Sequence, residues 1–145
     1  MKKVITSLPQ LQKFADSVAN NMKQGRYRKI GLIGPLGAGK TTFVSDLTKS
    51  LGITDKISSP TFTIMHEYGR DKNLLLHIDL YRVLPTEDET VEQIIEAINT
   101  RRFVVVEWAD RIQEIANYLD IIYKFTHGKN EQTRIVEEAN GHLES

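Results

Sequence analysis

The sequence contains no cysteine, no excess of charge of either sign and no long apolar run. Without cysteine the chain can form neither disulfides nor thiolate metal sites, which fits a reducing compartment. Its 19 basic and 19 acidic residues give no excess of positive charge, which a protein that binds nucleic acid by itself would be expected to show. Binding to nucleic acid through a partner stays open. Neither a membrane span nor the apolar core of a signal peptide is found. We therefore expect a cytoplasmic protein that makes no contact with a membrane.

The length of 145 residues suits one domain. A chain of this size can build a single hydrophobic core and is too short for two domains of ordinary size. We expect residues 1–145 to form a single domain.

One segment carries a complete phosphate-binding motif, G-x-x-x-x-G-K-[ST]. Its glycines allow successive backbone N–H groups to face an anion, Lys40 reaches the β- and γ-phosphates, and the Thr41 hydroxyl takes one position on Mg²⁺. The sequence therefore predicts a site for a nucleoside triphosphate. The motif reads Gly34, Pro35, Leu36, Gly37, Ala38, Gly39, Lys40 and Thr41.

The motif has the context that a P-loop requires. Residues 29–33 form a short apolar run typical of a buried parallel strand. Downstream, Phe43, Leu47 and Leu51 recur at a spacing of four residues, and Gly52 follows where a helix would end. A strand therefore leads into the loop and a helix leaves it.

The rest of the chain alternates between helical and extended patterns. A first helix, capped by Ser7 and Gln10, runs to Gly25, and a second amphipathic helix spans 87–98. The run 103–106 is the strongest strand signal and predicts a central strand. Overall we predict an α/β fold with a mostly parallel sheet, flanking helices and added antiparallel hairpins. The hairpin strands are predicted at 61–68 with 74–81, and at 121–125 with 133–139.

Two carboxylates end apolar strands. Asp79 closes the run 74–78, and Glu107 closes the run 103–106. Because the carboxyl ends of strands open onto the ligand crevice of an α/β sheet, both are candidates for the phosphate site. We predict that Asp79 and Glu107 share Mg²⁺ ligation, direct or through water, and orientation of the attacking water. With Lys40 they form the candidate catalytic set.

Other residues have two interpretations each. In the segment 58–63, Thr61 could sense the γ-phosphate, but a turn into a strand is slightly favoured. Trp108 either covers the nucleotide or packs in the core. Ser7 and Arg134 could contact nucleotide, although helix capping explains Ser7 and nothing local supports Arg134. The four histidines show no metal-ligand spacing, and we interpret them as structural or surface residues. They are His66, His77, His127 and His142.

Three classes of function compete. A GTPase is disfavoured because no Asn-Lys-x-Asp sequence follows the P-loop. A small-molecule kinase needs an acceptor pocket and commonly an arginine-bearing lid, for which only Arg101 and Arg102 are available. A nucleotide-gated binding module with little turnover would use the same residues as an ATPase, so it stays open.

The motifs together resemble the TsaE family, the P-loop ATPases of bacterial tRNA threonylcarbamoyladenosine biosynthesis. The resemblance covers nearly the whole chain, and the Asp-Leu-Tyr-Arg and Val-Glu-Trp motifs make it specific. One departure is Ala109, where proline is common in the family. The matching segments are 34–42, 59–63, 77–82 and 106–110.

The resemblance implies ATP and Mg²⁺ as ligands and a cytoplasmic ATPase that supports the proteins TsaB and TsaD. Contact with tRNA would be indirect, through that complex. It also implies that Lys40 and the loop through Thr42 bind phosphate and that Thr41 and Glu107 serve the magnesium. Asp79 would lie beside the γ-phosphate.

Overall fold

A computed structural model describes residues 1–35, 37–56, 64–130 and 132–140. Three features of the sequence lie outside these residues: Leu36 of the P-loop, the segment 58–63 with Thr61, and His142. In the described part of the chain, no helix combines the length and apolar character needed to cross a membrane.

The described residues form a seven-stranded sheet, with strand order β1-β7-β6-β2-β5-β4-β3. The four inner strands, β6, β2, β5 and β4, pair in parallel, whereas β1, β7 and β3 are added antiparallel at the edges. The strands are β1 Lys2–Ile5, β2 Lys29–Ile33, β3 Met65–Arg70, β4 Asn73–Asp79, β5 Phe103–Glu107, β6 Ile121–His127 and β7 Arg134–Asn140.

Helices cover both faces of the sheet and create two hydrophobic clusters. One cluster lies under α1 and α2, and the other lies under α3, α4 and a short 3₁₀ turn. The mixed α/β class is therefore confirmed. The helical elements are α1 Leu8–Lys23, α2 Lys40–Ser50, α3 Asp88–Thr100, the 3₁₀ turn Ala109–Arg111 and α4 Gln113–Ala116.

The first helix forms where its sequence pattern predicts it. Ser7 is its N-cap and accepts a hydrogen bond from the Gln10 backbone N–H at 3.3 Å. The Gln10 side chain accepts in return from the Thr6 backbone N–H rather than from Ser7, so the capping box is shifted by one residue. Its buried face consists of Leu11, Phe14, Ala15, Val18, Ala19 and Met22.

Strand β5 is buried along its whole length because β2 and β4 flank it and helices cover both its faces. Its register sets the site, since Glu107 pairs with Leu32 on β2 and with Asp79 on β4. The predicted central strand is confirmed, and both predicted hairpins form, as β3–β4 and β6–β7.

Two parts of the fold have no counterpart in the predictions. Strand β1 buries only Ile5 and exists as a strand because it pairs with β7 at the far end of the chain. The 3₁₀ turn and α4 follow Trp108, a stretch too short to show a helical period. Both are set by tertiary contacts rather than by local pattern.

Candidate nucleotide site

The phosphate loop leaves β2 and turns into α2 through glycines that other residues could not replace. Gly34 has a φ of +138°, and a Cβ there would lie 2.1 Å from the Phe125 carbonyl oxygen. Gly39 caps α2 with a φ of +98° and no side-chain hydrogen bond to the helix. No capping side chain therefore occupies the first N–H groups of α2, which leaves them available to an anion.

Lys40 is the first residue of α2 and is only 5% exposed. Its ammonium donates to the Gly34 carbonyl at 2.5 Å and lies 4.4 Å from the centre of the Trp108 ring. Burial lowers the pKa of Lys40, and the negative charges of Glu107, Asp79 and Asp110 partly oppose that shift. The lysine is thus held within the loop beside several carboxylates.

The two predicted carboxylates lie side by side. Asp79 and Glu107 are register partners on adjacent parallel strands, at the carboxyl ends of β4 and β5. The negative charge of each raises the pKa of Lys40, against the lowering that burial causes. The structure brings the predicted catalytic set together, and its role in metal binding stays a prediction.

Burial raises the pKa of Asp79, and the nearby Glu107 carboxylate raises it further. The opposing contributions come from the Tyr81 backbone N–H, which donates to Oδ1 at 2.9 Å, and from His77 and Lys40. This carboxyl is therefore harder to ionise than an ordinary aspartate, as expected for a half-buried group beside a second carboxylate.

His77 belongs to the same site, which the sequence analysis missed. Its Nε2 atom lies 2.6 Å from Glu107 Oε2, and the two side chains are 2% and 8% exposed. The sequence analysis interpreted His77 as a structural or surface residue, and the structure shows that it is buried rather than at the surface. It precedes Asp79 by two residues, so both side chains face the same side of β4. A histidine within the apolar strand β4 was the available signal.

Trp108 packs partly in the core, and its cover of a nucleotide stays a prediction. It adopts a left-handed conformation with a φ of +58°, directly after β5. One side of it packs against the second hydrophobic cluster, and its ring also contacts Lys40 and the exposed Tyr81, whose ring centre lies 5.0 Å away. The next residue, Ala109, is fully buried against Gly31, where a Cβ would come within 2.8 Å of the alanine methyl.

Arg134 approaches the phosphate loop from the last hairpin. A Cβ on Gly39 would lie 2.3 Å from Arg134 Nε, and that buried atom has no hydrogen-bond partner among the described residues. His127, the register partner of Arg134 on β6, lies near Gly37. A basic side chain that had no local support in the sequence is therefore next to the P-loop.

The other residues predicted to bind the nucleotide differ in their exposure to solvent. Pro35, Gly37, Thr41 and Thr42 are exposed, whereas Ala38 is buried. Ser7 is engaged in capping α1. Within the described part of the chain, no three histidine, aspartate or glutamate side chains gather as a metal site.

The two arginines considered for a kinase lid lie away from the loop. Arg101 and Arg102 precede β5, whereas Glu107 ends it. Arg101 is bound to Glu67 by two hydrogen bonds of 3.1 and 3.2 Å, and Arg102 lies over the Phe103 ring. They stand at the opposite end of the strand from the candidate site.

Comparison with protein families gives one match that spans most of the chain. The family described as "Threonylcarbamoyl adenosine biosynthesis protein TsaE" matches residues 5–136. The matched region includes the P-loop, both strand-end carboxylates and Arg134.

Relatives and a solved structure agree with this match. A tRNA threonylcarbamoyladenosine biosynthesis protein TsaE from Aquifex aeolicus is 43% identical over 110 residues, which cover 74% of this chain and 76% of that protein. A protein of the same name from a Nostoc species is 38% identical, with 72% of this chain and 67% of that protein covered. The crystal structure of YdiB from Bacillus subtilis superposes with a TM-score of 0.63 at 26% identity, and covers 94% of this chain and 82% of the other.

Proposed function

The chain belongs to the TsaE family and has a role in threonylcarbamoyladenosine biosynthesis, and from this premise we propose that it is a magnesium-dependent ATPase of that pathway. In this proposal it is a cytoplasmic P-loop protein that hydrolyses ATP in support of TsaB and TsaD. It meets tRNA only through their complex.

The observation that carries the proposal is the position of Lys40. Its ammonium is buried in the phosphate loop, at hydrogen-bond distance from the Gly34 carbonyl, beside two carboxylates that end adjacent strands. A buried ammonium is costly unless an anion compensates it. Glu107 and Asp79 supply part of that compensation, and nucleotide phosphates would supply more. The N–H groups at the start of α2 would bind the same phosphates.

The residues at the site also suit a magnesium ion. Nucleotide-bound Mg²⁺ takes one or two carboxylates and a hydroxyl from the protein and completes its shell with phosphate oxygens and water. Thr41, Glu107 and Asp79 are the oxygen donors that we assign to it. The ion supplies charge neutralisation on the phosphates when bound.

The chain's own residues account for the rest of the chemistry. Lys40 neutralises charge on the β- and γ-phosphates, and Asp79 together with Glu107 orients the water that attacks the γ-phosphate. Trp108 and residues 34–42 hold the nucleotide. Catalysis is then mostly positioning and charge neutralisation, and the protein forms no covalent bond with the substrate.

The position of Arg101 and Arg102, at the far end of β5 from Glu107, favours this proposal over a small-molecule kinase. A nucleotide-gated binding module uses the same site as an ATPase. Only the rate of turnover separates the two.

The test is the rate of ATP hydrolysis by this protein alone, and with purified TsaB and TsaD, with Lys40→Ala as the control. We expect weak turnover alone and stimulation by the partners, both abolished in Lys40→Ala. ATP binding without turnover under any of these conditions would favour the binding module. Turnover raised instead by a small-molecule acceptor would favour the kinase.

A further inference from the structure

The pair formed by His77 and Glu107 is the most deeply buried polar contact of the site. His77 is 2% exposed and Glu107 is 6% exposed, and Nε2 lies 2.6 Å from Oε2. With Glu107 ionised, Nε2 carries the proton and donates it to the carboxylate. One carboxylate oxygen is thereby engaged by the histidine, and Oε1 is left for another ligand.

The histidine ring is fixed from its other side as well. Tyr68 on β3 is buried, and its ring centre lies 6.0 Å from that of His77. The other ring nitrogen, Nδ1, has no hydrogen-bond partner among the described residues. Among the residues that the structure describes, the single hydrogen bond of the imidazole is thus the one to Glu107, and none of them makes a second polar contact that would explain its burial.

Burying a polar side chain with one nitrogen unpartnered costs stability, and an apolar residue would suit the strand equally well. Functional sites commonly tolerate such a loss of stability, and a histidine that positions a functional carboxylate would be one case. Groups that hydrogen-bond to metal-ligating carboxylates fix their orientation, and losing one lowers metal affinity or activity by about 10- to 100-fold.

We propose that His77 is a positioning residue that holds the Glu107 carboxylate in the rotamer that faces the nucleotide-bound magnesium. The inference rests on the proposed function, because it assigns to His77 an effect that acts only through Glu107. His77 itself contacts neither nucleotide nor ion.

The test compares His77→Leu, which removes the donor at similar volume, with His77→Gln, whose side-chain amide can replace Nε2 as a donor. His66→Leu is the matched control, because His66 is the register partner of His77 on β3 but is exposed and stacks on Tyr68. Melting temperatures establish that all three variants fold.

The first readout is nucleotide affinity rather than activity. Trp108 is the only tryptophan in the chain and its ring contacts Lys40, so its fluorescence reports ATP binding at this site. ATP is titrated with Mg²⁺ and again with EDTA. We expect His77→Leu to lose about 10-fold in the magnesium-dependent gain in affinity, while its affinity in EDTA stays within about 2-fold of wild type.

The second readout is the turnover number at saturating ATP. We expect His77→Leu to lower it by about 10- to 100-fold, His77→Gln to recover most of the loss, and His66→Leu to match wild type. In a Glu107→Gln background His77→Leu should add no further loss, since neighbouring residues that act as a unit are not additive.

Three results would overturn the inference. They are a wild-type magnesium response in His77→Leu, an equal loss of affinity with and without Mg²⁺, and additive losses with Glu107→Gln. In each case wild-type binding and turnover are intact, so the proposed function stands. Failure of the wild-type protein to bind or hydrolyse ATP would instead overturn the proposed function and this inference together.

Discussion

At the amino end of β5, Arg101 forms two hydrogen bonds with Glu67, and the two side chains are 39% and 40% exposed. At the carboxyl end of the same strand, Glu107 contacts His77, and both side chains are nearly inaccessible. The first pair is solvated and its net contribution to stability is small. The second pair is buried, where the cost of desolvation is high.

The difference separates a solvated ion pair from a buried charged contact at the two ends of one strand. Ion pairs at the amino end can be lost with little consequence because water replaces the partner. At the carboxyl end Lys40 and Glu107 are buried and Asp79 is half-buried, and the three lie within electrostatic reach of one another. Such clusters are typical of functional sites, whose residues work at some cost to stability.

The largest expected effect tests this comparison directly. Glu107→Gln removes the charge at the carboxyl end, and we expect ATP turnover to fall by about 100-fold or more. The matched change at the amino end, Glu67→Gln, should leave turnover unchanged and cost at most about 1 kcal/mol of unfolding free energy. Steady-state ATP hydrolysis and urea denaturation measure the two. Similar losses of turnover in both variants would contradict the comparison.

A second prediction concerns Asp79→Asn, which keeps the Oδ1 acceptor for the Tyr81 N–H. We expect turnover to fall by about 10- to 100-fold because the negative charge is lost. The free energy of unfolding near pH 7, by contrast, should stay the same or rise in this variant. The folded-state pKa of Asp79 is raised, chiefly by burial, so the wild-type protein loses stability as pH rises from the unfolded value of about 3.9 through the raised one.

Asparagine does not ionise, so the Asp79→Asn variant does not lose stability as the pH rises. Its melting temperature should therefore match or exceed wild type near pH 7, and this advantage should disappear near pH 3. Thermal unfolding at both pH values measures it, and a variant less stable than wild type at pH 7 alone would show that Asp79 is stabilised in its charged form.

A third prediction concerns Arg134, whose buried Nε faces Gly39 without a partner among the described residues. Because phosphate would supply an acceptor, Arg134→Gln should weaken ATP binding by about 10-fold, the effect of losing one charge-assisted hydrogen bond. Arg102→Gln, at the amino end of β5, is the control and should bind ATP as wild type does. Equal affinities in the two variants would place Arg134 outside the nucleotide site.

The smallest expected effect comes from Asp46, a half-buried carboxyl on α2 away from the strand ends. Burial raises its pKa, Lys49 opposes the shift, and Asp16 adds to it. As with Asp79, a raised pKa means that the folded protein loses stability when the carboxyl ionises. Asp46→Asn should therefore raise the melting temperature near pH 7 by roughly 1–3 °C, with no gain near pH 3. Turnover should stay within about 2-fold of wild type, since Asp46 has no role in the site. A large loss of turnover would show that burial of a carboxyl does not by itself distinguish the two regions.

Much of the fold could be predicted because its signals are local. The face of α1 follows a period of 3.6 residues, and the apolar run of β5 is short and bounded, so both appear in the sequence. Strand β1 could not be predicted, because its four residues bury one side chain and depend on β7. The 3₁₀ turn and α4 after Trp108 likewise depend on the packing of Ala109 against Gly31 and on the second hydrophobic cluster.

The sequence by itself determined the phosphate loop and the two strand-end carboxylates, because glycine spacing, Lys40 and the apolar runs before Asp79 and Glu107 are features of contiguous residues. Tertiary structure alone decided that these carboxylates are register partners, that His77 contacts Glu107, and that Arg134 reaches Gly39. The physical reason is that strand order and register arise from pairing between distant segments. Contacts across neighbouring strands follow that pairing, which no local period encodes.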